Sequence, residues 1–168
     1  LAEIVRVADR VSVLRAGRRV AGSEMARADI GELVRAMVGR EVATLDNALA
    51  ASLGVEGAGA AGTRDTGSKA TPGSLDVVMK CDDLSVVDRD GRLRLDHLSL
   101  EIRRGEVVGL AGVEGNGQLE LEAVLSGLMQ PSSGRFSVGK TELTHASPAA
   151  VTAAGAGIVP EDRHAVGC

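Results

Sequence analysis

The stretch Gly112-Val113-Glu114-Gly115-Asn116-Gly117-Gln118-Leu119 decides the fold of this chain. The short apolar run at residues 107–111 before it is typical of a fully buried strand. After it, one face of a predicted amphipathic helix carries Leu121, Val124, Leu125 and Leu128. Glycines let a backbone curl with its N–H groups inward, and a helix N-terminus adds unpaired donors and partial positive charge. The stretch therefore predicts a phosphate-binding loop between a strand and a helix of an α/β fold.

Two glycine-loop templates compete for these residues. A dinucleotide-binding Gly-x-Gly-x-x-Gly loop that begins at Gly115 would need glycine where the chain has Glu120. The P-loop template, Gly-x-x-x-x-Gly-Lys-Ser/Thr, aligns with residues 112–119, but Gln118 replaces the lysine and Leu119 replaces the hydroxyl residue. A lost charge-assisted contact costs roughly 1.5–3 kcal/mol, so we expect weakened nucleotide binding and poor hydrolysis. A merely structural turn is the alternative.

The composition limits the partners of the chain. With 168 residues, 44% hydrophobic and 25% charged, it is typical of a soluble globular protein. The net charge of -4 and the single aromatic residue, Phe136, argue against nucleic acid, which needs cations and stacking platforms. Cys81 and Cys168 are too few for a disulfide framework or a zinc site, so we expect reduced thiols.

The first forty residues predict a small group of elements. Residues 1–9 have the apolar spacing of a helix, and two apolar runs flank a hairpin turn at residues 15–18. Asp29 is a predicted N-cap of a second helix that Gly39 closes. A segment of about 40 residues is too short to bury a core independently.

A second group of elements begins at Asp76. Two strands are predicted around the Asp-Gly turn at residues 88–91, followed by the strand and loop described above. Pro148 is expected in the first turn of a helix, and residues 155–159 are expected to form another strand.

A change of composition separates these two groups. Of the 21 residues from Gly54 to Ser74, 16 are Gly, Ala, Ser, Thr or Pro, which is typical of a flexible linker. We therefore predict two partial domains: residues 1–42 end a first domain, 43–74 form the linker, and 75–168 begin a second domain. The chain starts inside an apolar periodic segment and stops after a charged turn, so we expect a fragment.

Several motifs resemble the ATP-binding subunit of sugar- and nucleoside-type ABC importers, which has two ATPase domains in tandem. Four segments resemble the second domain of that subunit: residues 105–118, 125–128, 131–134 and 160–163. Residues 1–17 resemble the end of its first domain, and residues 37–41 resemble the junction between the two domains. The resemblance implies a P-loop NTPase fold of ABC type and a degenerate second nucleotide site at residues 112–119. It also places Glu161 near the usual glutamine of the family's Q-loop.

The same resemblance implies partners and a location. The parent subunit, of which this chain would be a fragment, would bind ATP and Mg2+, with the metal weak or absent at this site. It would associate with transmembrane permease subunits and, indirectly, with a substrate-binding protein. Its location would be the cytoplasmic face of the cell membrane. The parent would be a transport-coupled ATPase, and this fragment alone is expected to be inactive. The family's aromatic residue that stacks on adenine is missing near residues 84–92. A non-hydrolysing nucleotide-binding or regulatory module, or a truncated product without function, remain alternatives.

Overall fold

The computed structural model describes residues 1–39, the first segment, and residues 76–159, the second segment. The first segment contains α1 (Ala2–Val7), β1 (Arg10–Arg15), β2 (Arg18–Glu24), a 3-10 turn (Met25–Arg27) and α2 (Ile30–Val38). The second contains β3 (Val77–Val87), β4 (Leu93–Arg103), β5 (Val108–Ala111), α3 (Gln118–Leu125), β6 (Ser133–Val138), β7 (Thr141–Glu142) and α4 (Pro148–Ala153). The mixed α/β class predicted from the sequence is confirmed.

Local chemistry explains the predicted ends of these elements. Ala16 and Gly17, with φ of 50° and 76°, form the tight connection between β1 and β2 that suits the twist of a hairpin. The Asp29 side chain accepts a hydrogen bond from the Glu32 N–H at 2.9 Å and caps α2, and Gly39 ends it with a φ of 93°. Pro148 opens α4, as predicted.

The strands form two sheets, and one of them joins the two segments. Its order is β2-β1-β5, with β1 antiparallel to β2 and parallel to β5, so that Arg10 lies beside Val108 and Val13 beside Ala111. The other sheet, β4-β3-β6-β7, is antiparallel. Pairing between β1 and β5 places the hairpin of the first segment beside the strand that leads into the glycine-rich loop. The domain boundaries inferred from composition stay a prediction.

Two apolar clusters lie on either side of the β1 strand. The first cluster draws Leu14 from β1 and the rest from the second segment: Cys81, Leu84, Val86, Leu95, Leu98, Leu100, Leu121, Val124, Phe136, Leu143 and Val151. The second cluster draws Ala111 from β5 and the rest from the first segment: Ala8, Val11, Val13, Met25, Leu33 and Met37. One residue of each segment therefore packs into the cluster of the other: Leu14 into the first cluster and Ala111 into the second.

Three local predictions are wrong. The β5 strand is mostly half-buried, because within the described residues no strand lies on its far side. Leu128 is 64% exposed, because α3 ends at Leu125 and Gly127 turns the chain with a φ of 73°. Residues 155–159 are not a strand, and no described strand pairs with them.

In the same described residues, every helix is too short or too polar to span a bilayer.

Candidate phosphate-binding loop

Residues 112–119, hereafter the 112–119 loop, connect β5 to α3, and their two inner glycines have different surroundings. Gly115 and Gly117 both have left-handed backbone, with φ of 83° and 104°. A Cβ on Gly117 would lie 2.8 Å from Leu95 Cδ2 and 2.9 Å from the Arg94 carbonyl oxygen, whereas one on Gly115 would meet nothing within 4 Å. Gly117 therefore allows close packing on β4, while Gly115 allows a turn that is open on its outer side.

The Gln118 side chain folds back across the loop. Its Oε1 accepts a hydrogen bond from the Asn116 N–H at 3.1 Å, and its Nε2 donates to the Val113 carbonyl oxygen at 3.2 Å. A Cβ on Gly112 would lie 2.8 Å from the Leu14 carbonyl oxygen and would also meet this Nε2, so glycine lets the loop pack closely against β1. The Asn116 N–H of the loop therefore already bonds an acceptor oxygen, which the Gln118 carboxamide supplies.

Asn116 is held by its side chain and its main chain. Its Nδ2 donates to the Val113 carbonyl at 2.8 Å, and its Oδ1 accepts from the Ala16 N–H at 2.7 Å. Its carbonyl oxygen also accepts from the Gly17 N–H at 3.2 Å. Asn116 is not among the described residues with positive φ, so the left-handed backbone that favours asparagine is not the reason for this residue. Hydrogen bonding explains the asparagine instead.

The loop itself carries one acidic side chain and no basic one. Glu114 is exposed in the loop itself, and Glu120 lies in the first turn of α3. Arg94 Nε lies 3.2 Å from Glu120 Oε1 and 3.3 Å from Asp88 Oδ2, so this cation is shared between two carboxylates. The loop consequently offers an anion its backbone donors and a helix N-terminus rather than net positive charge.

The start of α3 fits a phosphate better than it fits a metal ion. Gly117 is the N-cap, and among the described residues no side chain caps the first turn. Leu119 is 56% exposed and brings no hydroxyl to the position where the P-loop template has one. Within residues 1–39 and 76–159, no group of three His, Cys, Asp or Glu side chains could hold a metal. Leu119 therefore lacks the side-chain oxygen with which the P-loop template holds Mg2+.

Phe136 and several charged residues outside the loop are held by packing, ion pairs or hydrogen bonds. Phe136 is 1% exposed and lies in the first cluster, and His97 Nδ1 lies 2.8 Å from Asp83 Oδ1 on an exposed surface. Arg15 donates to the Ala36 carbonyl at 2.8 Å, and Arg18 pairs with Asp96. The Arg18 side chain is nevertheless 67% exposed, as expected for a solvated basic turn. Glu161 lies outside the described residues.

Sequence reasoning missed the contact of this hairpin turn with the loop. Residues 15–18, hereafter the 15–18 turn, carry ordinary hairpin chemistry, and their distance of about 100 residues from Asn116 hides the contact. Residues 15–18 carry no local signal of this contact in the sequence, because the left-handed φ of Ala16 is visible only in the structure.

Curated proteins similar to this chain are import ATP-binding proteins. The nucleoside import ATP-binding protein NupA of Lactococcus lactis is 35% identical over 98% of the chain and 28% of its own length. The glucose import ATP-binding protein TsgD13 of Haloferax volcanii is 39% identical over 99% of the chain and 26% of its own length. The ribose import ATP-binding protein RbsA of Chromobacterium violaceum is 37% identical over 98% of the chain and 28% of its own length. The resemblance to sugar and nucleoside importers is confirmed, and the chain spans about a quarter of these relatives.

Solved structures are similar over smaller parts of the chain. The structure of a nucleotide-free ATP-binding cassette from an ABC transporter aligns with 48% of this chain, over 31% of the cassette's own length. The identity is 21% and the TM-score is 0.45. The cbiO1 subunit of the cbiONQ transporter of Clostridium perfringens matches 47% and 31%, with 28% identity and a TM-score of 0.43. No family model matches the chain.

Proposed function

Because the chain is homologous, over nearly all of its length, to one part of the sugar and nucleoside import ATP-binding proteins, we propose that it is the ATP-binding component of such an ABC importer. In this proposal the 112–119 loop binds nucleotide phosphates at a degenerate site. The transported solute is a sugar or a nucleoside, the two classes named for the relatives.

The hydrogen bond from the Asn116 N–H to Gln118 Oε1 supports phosphate binding most directly. It shows a loop N–H aimed at an acceptor oxygen that belongs to a movable side chain. A nucleotide would displace the Gln118 carboxamide, and its phosphate oxygens would accept from the loop N–H groups and the uncapped first turn of α3. Glu161, whose surroundings lie outside the described residues, is proposed as a further nucleotide contact by resemblance alone.

Binding without hydrolysis is the activity that we assign to this loop. Gln118 can donate a hydrogen bond but supplies no charge to the terminal phosphates, and Leu119 cannot ligate a metal. This chemistry also favours the second candidate function, a non-hydrolysing nucleotide-binding or regulatory module. Under the first function, turnover that drives transport takes place elsewhere in the parent subunit.

A titration of the 168-residue chain with ATP tests the assignment, using a variant with Gln118→Lys and Leu119→Thr as the partner. We expect measurable binding without magnesium, and a tenfold to hundredfold gain in affinity for the variant, because one charge-assisted contact is worth roughly 1.5–3 kcal/mol. Equal affinities and equal turnover in the two proteins would contradict the assignment. Leu128→Lys, an exposed change outside α3, controls for added charge alone.

The partners follow from the same proposal. The parent subunit would associate with transmembrane permease subunits at the cytoplasmic face of the membrane, and a substrate-binding protein would supply the solute indirectly. Nucleic acid is not a partner in this proposal, in keeping with the net charge of -4. Loss of uptake of one labelled sugar or nucleoside after deletion of the gene would separate the transporter from the regulatory module.

A further inference from the structure

Three elements of the second segment meet at the side chain of Arg94, next to the start of α3. Arg94 lies in β4, and its Nε is 3.2 Å from Glu120 Oε1 in the first turn of α3. The same Nε is 3.3 Å from Asp88 Oδ2, in the turn between β3 and β4. Glu120 is the more buried partner, with 17% of its side chain exposed against 42% for Arg94. The cluster thus ties the first turn of α3 to β4 through side chains of one segment.

The Asp88 carboxylate is fixed by its own turn. Its Oδ1 accepts hydrogen bonds from the N–H groups of Asp90 and Arg92, both at 2.9 Å. This is the usual way in which an aspartate stabilises a tight turn. Its other oxygen, Oδ2, faces Arg94. A rigid turn therefore holds Arg94 where it can pair with Glu120.

Glu120 occupies a position from which an acidic side chain commonly caps its own helix. Gly117 is the N-cap, so Glu120 is the third helical residue, and a carboxylate there can reach back to the unpaired N–H groups of the first turn. The positive end of the helix dipole attracts it in the same direction. In this structure Glu120 pairs with Arg94 instead, and no side chain of the described residues caps the first turn. An anion that could occupy the donors of the phosphate site is held away from them.

We propose that Arg94 is a positioning residue of the nucleotide site, which holds Glu120 toward β4 and so keeps the first-turn N–H groups of α3 open to a phosphate. The inference rests on the proposed function of the loop. Without Arg94, Glu120 would turn to the helix N-terminus and compete with the phosphate as a tethered anion. Arg94 therefore acts through Glu120 and does not touch the nucleotide.

Titration of the 168-residue chain with ATP, without magnesium, tests this role. We expect Arg94→Met to weaken ATP binding about fivefold, which is the usual worth of one capping interaction. In a chain that already carries Glu120→Ala, the competing carboxylate is gone, so Arg94→Met should change the affinity by less than about twofold. If Arg94→Met does not fold, Arg94→Gln removes the same charge and takes its place.

Arg135→Met is the matched control for a lost cation. Arg135 of β6 is an exposed arginine that pairs with an aspartate, Asp82, at 3.5 Å, and neither residue contacts α3 among the described interactions. We expect the ATP affinity of this variant to equal that of the unchanged chain. An equal loss in Arg94→Met and Arg135→Met would mean that net charge alone governs binding, and would overturn the inference.

The orientation of Glu120 also has a readout without nucleotide. In Arg94→Met, the carboxylate should bond the first-turn N–H groups, so the amide proton resonances of residues 117–120 should move downfield in NMR spectra. Adding Glu120→Ala should cancel that movement, whereas a general loss of structure would not be cancelled. Resonances that do not move in Arg94→Met would contradict the proposed competition.

The outcomes separate this inference from the proposed function. If the unchanged chain binds ATP and Arg94→Met binds it equally well, the inference is overturned and the proposed function stands. A loss that persists in the Glu120→Ala background means that Arg94 contacts the phosphates directly, which also overturns the inference. If the unchanged chain binds no ATP, the proposed function fails and the inference fails with it.

Discussion

The 15–18 turn and the 112–119 loop are two left-handed connections that face each other, but they are held in different ways. The turn is closed by its own strands, β1 and β2, and sits against the Arg94 carbonyl through Gly17. The loop sits against the same carbonyl through Gly117, but its shape depends on the side chains of Asn116 and Gln118. A strand-closed turn can therefore serve as a fixed support, while a loop held by side chains can open for a ligand.

The largest effect that would test this comparison is expected at the glycine that packs the loop. Gly117→Ala adds a Cβ 2.8 Å from Leu95 Cδ2 at a φ of 104°, so steric strain and overpacking together should lower the free energy of unfolding by about 3 kcal/mol. Gly115→Ala is the matched control, because its Cβ meets nothing, and should cost about 1 kcal/mol. Denaturant unfolding measures both. Equal losses would mean that the packing of Gly117 does not matter.

The next effect concerns the other end of the β1 strand, which joins the turn to the second segment. Arg10 bonds the Glu101 carbonyl and pairs with Glu106 at 2.8 Å, with the two side chains 19% and 12% exposed. Arg10→Met should therefore lower the free energy of unfolding by about 2 kcal/mol.

Arg27→Met is the control for this prediction, because the Arg27–Glu24 pair is exposed and should contribute less than about 0.5 kcal/mol. Chemical unfolding of both variants gives the comparison. If Arg10→Met lowers the free energy of unfolding no more than Arg27→Met does, the β1–β5 pairing does not need the Arg10–Glu106 ion pair to support the loop.

The core beneath both connections has its own pH dependence. Burial raises the pKa of the Cys81 thiol from 9.0 to about 12, so the unfolded chain loses this proton first as the pH rises. The stabilising contribution is complete below pH 9 and is lost between pH 9 and about 12; at pH 10 the loss is about 1.4 kcal/mol. Cys81→Ala should lack this part of the pH dependence in unfolding measurements. The same slope in both proteins would show that Cys81 is not buried as described.

The smallest effect is expected at the strained residue of the turn. Ala16→Gly keeps the N–H that donates to Asn116 and relieves a φ of 50°, at the cost of a more flexible unfolded chain. We expect a gain of about 0.5 kcal/mol in the free energy of unfolding, measured by thermal and denaturant melts. A loss of stability would mean that the Ala16 methyl group contributes packing that outweighs the strain.

Most local elements could be predicted from the sequence, because their signals lie within a few residues of one another. Asp29 and Gly39 bound α2, Gly17 marks the hairpin, and the glycines at 115 and 117 mark the loop. One prediction failed because a local turn ends the helix early, and another because the burial of a strand depends on distant partners. Leu128 follows the helical spacing but lies beyond the end of α3, and the apolar β5 strand is half-buried at a sheet edge.

What the sequence determined by itself is the type of site: a strand, a glycine loop and a helix, with Gln118 and Leu119 in place of the charged and hydroxyl residues. Motif spacing and residue chemistry are local properties, so no fold was needed to recognise them. What only the tertiary structure decided is how the loop is held. Pairing of β1 with β5 brings Ala16 and Gly17 onto Asn116, and hydrogen bonds between residues about 100 positions apart follow from sheet register, which no local pattern encodes.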